Sequence, residues 1–181
     1  QRKTLDYFLD YHSYSGIDGQ GMRTVSVVNY GSGGGLSQNN AFFNAGLNVL
    51  SYGIAGGVYR PFCAAQDIVT HEFTHGFTAH HSGLIYENQS GALNESMSDV
   101  FGYFVEAEYQ NGGDWTEGED IRINGGASRS FQDPPIYGDP DSVNHPYFVP
   151  YTNNPNLFTN DNGGVHSNSG IPNKVLYLVV Q

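Results

Sequence analysis

Residues 71–75 read His71-Glu72-Phe73-Thr74-His75. Residues four apart project from the same face of an α-helix, so His71 and His75 can grip one metal ion. Glu72 lies about 100° around the helix axis from His71, close enough to hold a water bound to that metal. The bland alternative is two helix histidines that are merely hydrogen-bonded or exposed. The flanks weigh against it. Asp67 falls in the first turn, where a carboxylate suits the positive end of the helix dipole. Val69, Phe73 and Phe77 recur every four residues on the side opposite both histidines. One flank is therefore packed while the other carries metal-ligating side chains, which ordinary surface helices do not show. His80 and His81, near the C-terminal end, read as dipole-compatible end residues with no catalytic part.

A catalytic zinc takes three protein ligands and keeps a position for water. The residue seven beyond His71 is Thr78, not a ligand type, so a third ligand must come from another element. Within residues 90–106, Leu93, Met97, Val100, Phe101 and Phe104 form an apolar stripe at helical spacing. Glu95 and Asp99 are four apart and share a face. One can ligate while the other accepts a hydrogen bond from a ligand histidine. A solvated helix face with two acids is the competing reading of this segment.

With both segments in view, the chain resembles the thermolysin-like zinc metallopeptidases. His71-Glu72-x-x-His75 followed by Asn94-Glu95-x-x-Ser98-Asp99 is similar to the zinc site of that family. The likeness continues through Gly83-Leu84-Ile85-Tyr86-Glu87-Asn88-Gln89-Ser90-Gly91-Ala92-Leu93-Asn94-Glu95. It recurs at Asp161-Asn162-Gly163-Gly164-Val165-His166-Ser167-Asn168-Ser169-Gly170, and a weaker similarity runs from about residue 4 to the end. The resemblance implies an α+β, zincin-like metallopeptidase fold. A β-rich N-terminal part and a helical C-terminal part flank a central helix that carries the zinc site, and both ends of the family's chain are truncated here. It implies one catalytic Zn²⁺ on His71, His75 and Glu95, with Glu72 as general base and Asp99 orienting His71. Tyr86 and His166 would stabilise the oxyanion, with Asp161 fixing the His166 imidazole. The chemistry agrees: a carboxylate beside a metal-bound water can take its proton, and donors belong where carbonyl charge develops. Without the family, Tyr86 would not stand out among 13 tyrosines.

Composition limits the rest. Lys and Arg number 7 against 18 acids in 181 residues, a formal charge of −11. Nucleic acid and anionic membrane surfaces require basic patches and are not expected partners. No apolar run is long enough to span a bilayer, and Gln1-Arg2-Lys3 followed by an amphipathic segment is no signal peptide. Cys63 is the single cysteine, so no intrachain disulfide forms; it reads as a small buried hydrophobe. Secretion, polypeptide substrates and a monomeric state follow from the resemblance.

The resemblance divides the chain into residues 1–65, a remnant of an N-terminal α/β lobe, and residues 66–181, with the zinc-site helices, a calcium-binding loop and the start of a helical C-terminal lobe. Residues 4–14 read as an amphipathic helix ending at Ser15-Gly16. Thr24 to Tyr30 alternates as a strand with Val25, Val27 and Tyr30 as apolar positions, and Leu47 to Val58 reads as further short strands. Gly31 to Gly35 is a flexible loop without the Lys-Ser/Thr of a phosphate cradle. Asn39-Asn40-Ala41-Phe42-Phe43 resembles the family's edge strand, where Asn40 and Ala41 would hydrogen-bond the extended substrate. Gly112 to Asp120 is crowded with acids. A hard cation would relieve their repulsion, and the resemblance selects Asp67, Glu106, Asp114 and Glu119 as ligands of a single structural Ca²⁺. A paired second ion in some relatives uses an acid where Thr116 stands.

Residues 121–165 hold six of the 8 prolines and read as mostly loop. The resemblance aligns Arg129 with an arginine that contacts the substrate carbonyl beyond the cut bond. It places Phe62 and Ile68 in the pocket for an apolar side chain on the leaving side. Ser128 stands where relatives usually carry Leu, a departure that leaves pocket depth and residue preference open. A helix starts around Ile171-Pro172-Asn173-Lys174 and is cut at Gln181. Three readings compete: a zinc endopeptidase cutting before apolar residues, a catalytically silent metal-binding fragment of such an enzyme, and a zinc aminopeptidase. The last needs acids for a free amino terminus, and no segment supplies them.

Overall fold

A computed structural model of the protein describes residues 1–31, 36–110 and 112–181. Residues 32–35 of the glycine loop therefore lie outside the described residues. Helix α1 (Arg2–His12) stops three residues before the expected Ser15-Gly16 boundary. Ser13 is left-handed, at φ 54°, and the Ser13 and Tyr14 N–H groups close back on the Leu9 and Phe8 carbonyls at 3.0 Å each.

Strands β1 (Val25–Tyr30), β2 (Ala41–Asn44) and β3 (Val49–Gly53) form a sheet of order β1-β3-β2, with β1 parallel and β2 antiparallel to the central β3. Central β3 is largely buried, whereas Val25, Val27 and Tyr30 of β1 are each about two-fifths exposed. Only one strand occupies 47–58 rather than several, because positive φ at Ala55 and Gly57 breaks the extended run. β2 is the edge beside the cleft described below.

Helix α2 (Gln66–His80) packs against the sheet. Its Val69 and Phe73 join Phe8, Leu50, Tyr52, Phe62, Ile68 and Ile121 in the main core, with Phe77 packed against it. Helix α3 (Asn88–Gln110) is longer than the expected segment and runs against α2. The apolar stripe predicted on α3 is not its buried face. Leu93 is 44% exposed, and the buried positions include Asn94, Glu95, Ser98 and Asp99. The reason lies in what α3 meets: the polar face of α2, at close range. A Cβ on Gly102 would come within 3.0 Å of the Asp67 carbonyl oxygen, so the helices approach backbone to backbone there.

Beyond α3, β4 (Thr116–Glu117) pairs antiparallel with β5 (Arg129–Ser130). A second core forms from Tyr103, Phe131 and Tyr177, with Trp115 stacked 4.2 Å from the Tyr103 ring. The loop expected over 121–165 holds as far as Asn156. That residue then caps α4 (Leu157–Asn168) by accepting from the Phe158 and Thr159 N–H groups. His166 thus stands on a helix that begins inside the expected loop. A break at residues 160–164, with positive φ from Asp161 through Gly164, splits α4 and turns its second half towards α3. Helix α5 (Gly170–Val180) follows at once. Cys63 is exposed, contrary to the expectation of burial, because the short turn 62–64 spends its inward position on Phe62. Among the described residues no helix is long and apolar enough to cross a membrane. The architecture is α+β, with strands confined mostly to the first half and helices dominating the second.

Candidate active site

The polar faces of α2 and α3 meet, and donor atoms converge between them. His71 Nε2 and His75 Nε2 lie 2.9 Å apart. Glu95 reaches in from α3, with Oε1 3.2 Å from His75 Nε2 and Oε2 3.5 Å from His71 Nε2. The far side of each ring decides what these contacts are. His71 Nδ1 lies 2.8 Å from Asp99 Oδ1, and His75 Nδ1 lies 2.8 Å from Asn94 Oδ1, whose amide is oriented by Nδ2 donating to the Leu84 carbonyl. Both partners are acceptors, so both Nδ1 atoms carry the ring proton. The two Nε2 atoms then face each other beside a carboxylate, an arrangement that repels unless a proton or a metal cation lies between them. Glu95 Oε2, buried, has no hydrogen-bond partner of its own among the described residues. Two imidazole nitrogens and one carboxylate form the donor set of a catalytic zinc, and these residues fit that ion.

The field at this point favours any cation. Burial works against a charged His71, but Glu117 and the hydrogen bond to Asp99 outweigh it and hold its pKa well above the ordinary value. Burial would raise the Glu95 carboxyl, yet His166 and His75 drive it well below the usual range. Glu72, beside the histidines and 5% exposed, is pushed up by burial, with the two imidazoles opposing. A buried carboxylate with a raised pKa next to a metal donor set is suited to accept and return a proton.

On the cleft's other flank, Tyr86 donates to Glu95 Oε1 and lies 3.0 Å from His166 Nε2. His166 Nδ1 is 2.5 Å from Asp161 Oδ1, while Asp161 Oδ2 accepts from the His166 N–H at 2.9 Å. The left-handed turn at Asp161 lets one carboxylate grip both the ring and the backbone of the residue five further on. Burial lowers the His166 pKa, but Glu95 and Asp161 reverse this and raise it. Together these groups line a cleft of about 770 Å³ whose facing wall is Asn40, Ala41, Phe42 and Phe43, with Leu157 and Phe158 at one side. Asn40 O is already taken, accepting from Gly53 N at 2.8 Å. Alternation along an antiparallel strand then turns the Ala41 and Phe43 backbone groups away from β3 and leaves Asn40 its side chain to offer.

Of the residues singled out from sequence, His71, Glu72, His75, Glu95, Tyr86, His166, Asn40 and Ala41 line one cleft, with Asp99 and Asp161 directly behind. Phe62 and Ile68 are not brought there; both pack in the main core. Arg129 turns inward, with Nε and Nη2 each 2.8 Å from Asp99 carboxylate oxygens. For calcium, Asp67, Glu106 and Glu119 come together with oxygens within 4.8 Å of one another. Asp114 stays outside that group, linked through Thr116 Oγ1, which is 2.8 Å from Asp114 and 2.9 Å from Glu119. Burial and the nearby acids push Asp67 up to about 8 and Glu106 up to about 9.

Sequence reasoning assigned no roles to Asn94, Ser98, Glu117 and Asn173. Asn94 and Ser98 hold His75 Nδ1 at 2.8 and 3.2 Å, and their four-residue spacing beside Glu95 and Asp99 was a signal. Asn173 of α5 donates to Asp99 Oδ2 at 2.7 Å, and nothing in the local sequence marks it.

Comparison with known proteins gives the family of the chain. Residues 1–79 match the family model of the thermolysin metallopeptidase catalytic domain, and residues 82–181 match that of the thermolysin metallopeptidase alpha-helical domain. A bacillolysin of Brevibacillus brevis is 44% identical over 99% of this chain and 31% of its own length. A thermolysin of Alicyclobacillus acidocaldarius is 45% identical over 97% of this chain and 30% of its own. The chain thus spans less than a third of these relatives. Among solved structures, the precursor of protealysin, a metalloproteinase from Serratia proteamaculans, superposes with a TM-score of 0.80 at 34% identity, covering 98% of this chain and 56% of that one. Two adjoining family models that between them take in nearly every residue leave one conclusion: this chain belongs to the thermolysin metallopeptidase family.

Proposed function

We propose that this protein is a zinc-dependent endopeptidase, exported and acting on extended polypeptides. The observation that carries the proposal is the convergence of two imidazole Nε2 atoms, 2.9 Å apart, on the Glu95 carboxylate. Zinc held by His71, His75 and Glu95 would supply Lewis-acid polarisation of the scissile carbonyl and lower the pKa of a bound water. Glu72 takes the proton from the attacking water and delivers it to the leaving nitrogen. Tyr86 and a protonated His166 donate to the oxygen on which charge develops, and Asp161 keeps His166 charged and aimed. The outward backbone of Ala41, with the Asn40 side chain, holds the substrate as an added strand. The apolar wall of Phe42, Phe43, Leu84, Leu157 and Phe158 favours apolar side chains in the substrate. Asp67, Glu106 and Glu119 would share one structural Ca²⁺, with Asp114 joining through a small shift of its loop.

The test is Glu72→Gln in the whole protein. Zinc content should stay at one per molecule while casein hydrolysis falls by about 10²–10⁴-fold. A variant that still cleaves at the native rate refutes the assignment. Zinc bound by the native protein with no turnover of any polypeptide would favour the silent metal-binding reading instead.

A further inference from the structure

Glu117 lies on β4, behind His71, and takes no part in the chemistry proposed above. Its side chain is almost wholly buried, where a charge must be paired. It stands directly opposite Arg129 in the β4–β5 ladder, with Oε2 2.6 Å from Arg129 Nη2, and its Oε1 is 3.1 Å from His71 Nδ1. Neither contact has the alignment of a hydrogen bond. Asp99 holds the aligned positions on both groups. One imidazole N–H therefore faces two carboxylates, and one guanidinium bridges the same pair. His71, Asp99 and Glu117 are spaced to hold a second metal ion, but Arg129 already fills that cation position.

We propose that Glu117 is a positioning residue for the metal centre: it clamps the Arg129 guanidinium behind His71 and sets a second negative charge against the ring's outward N–H, raising the affinity of His71 Nε2 for zinc. A carboxylate facing the distal N–H of a ligand histidine fixes the ring and makes the metal-facing nitrogen more basic. Asp99 alone provides one such group; Glu117 adds another at a distance where charge acts strongly in a buried setting. Arg129 keeps the two acids from driving each other apart. The proposal rests on the zinc reading of His71, His75 and Glu95.

Zinc dissociation constants from chelator competition, with apo and zinc-loaded unfolding temperatures, test it in the whole protein. Glu117→Gln should bind zinc about 10-fold more weakly than native. An affinity within twofold of native overturns the proposal, even if both unfolding temperatures fall, since that pattern is what a merely structural residue gives. A native protein that binds no zinc overturns the reading of the metal site itself, which is a separate result. Should the single variant not fold, Glu117→Gln with Arg129→Met removes both buried charges together. Native-like zinc affinity in that double variant refutes the proposal, and a weakened affinity supports it.

Discussion

Asp161 shows how much one side chain can govern. Its two oxygens hold the His166 ring and backbone at once, and it is one of two carboxylates that overcome burial and raise the His166 pKa. Asp161→Asn keeps an acceptor but removes the charge. We expect zinc content unchanged and kcat reduced by about 10–10²-fold. The sign of the pH effect follows: His166 must be protonated to donate, its pKa falls, and the alkaline limb of the kcat profile moves to lower pH. A profile that stays in place would show that His166 does not supply that proton. Asn94 teaches the complementary lesson about legibility. The His71–Asp99 pairing could be anticipated because Asp99 shares a face with Glu95, and the same logic applied to Asn94 and Ser98 finds the partners of His75. Glu117 was not recoverable. In Trp115-Thr116-Glu117-Gly118-Glu119-Asp120 three acids look alike, and only a two-residue ladder with β5 sends one of them inward.

At the scale of elements, α3 shows where periodicity fails. Its sequence carries an apolar stripe, yet the buried face is the polar one, because α3 turns Glu95 and Asp99 towards the polar side of α2. The stripe still predicted a helix correctly, since 3.6-residue spacing reports the element and not which neighbour is buried. The glycines of α3 set how close that neighbour comes. A Cβ on Gly91 would overlap the Val165 side chain and come 3.0 Å from the Tyr86 carbonyl carbon. Gly91→Ala therefore wedges α3 away from the two segments that carry Tyr86 and His166. Overpacking of this kind costs about 1–3 kcal/mol, read as a lowered unfolding temperature. It should also lower kcat more than zinc affinity. A variant with native stability and native kcat would mean that the contact relaxes freely. The break in α4 was likewise half legible: Gly163-Gly164 announced an irregularity, but not that helix resumes at once and carries His166.

For the whole molecule, the acidic excess becomes a pH dependence. Asp67 and Glu106 hold their protons up to about 8 and 9 in the folded state, and burial raises Glu119 too. Unfolded carboxyls titrate near 4, so between about pH 4 and 9 the folded chain binds more protons than the unfolded one. Stability from this cluster then falls as pH rises through that window. In a calcium-selective chelator the unfolding temperature should drop from pH 5 to pH 9, and millimolar Ca²⁺ should restore most of the loss at the alkaline end by binding only the folded form. A chelated protein with the same unfolding temperature throughout would exclude a coupled cation site at these acids.

The strand β2 leaves its outer rank of amides and carbonyls to the cleft, and on the proposed endopeptidase reading that decides what kind of client would be cut. A partner that must lie down as one more strand has to surrender its own secondary structure first over several residues. Helices and tightly folded loops are thereby excluded however well their side chains suit the walls. On that reading the susceptibility of a given target would track the free energy of its local opening, so that thermal or denaturant loosening of the target, with this protein itself unperturbed, would set the speed of its destruction.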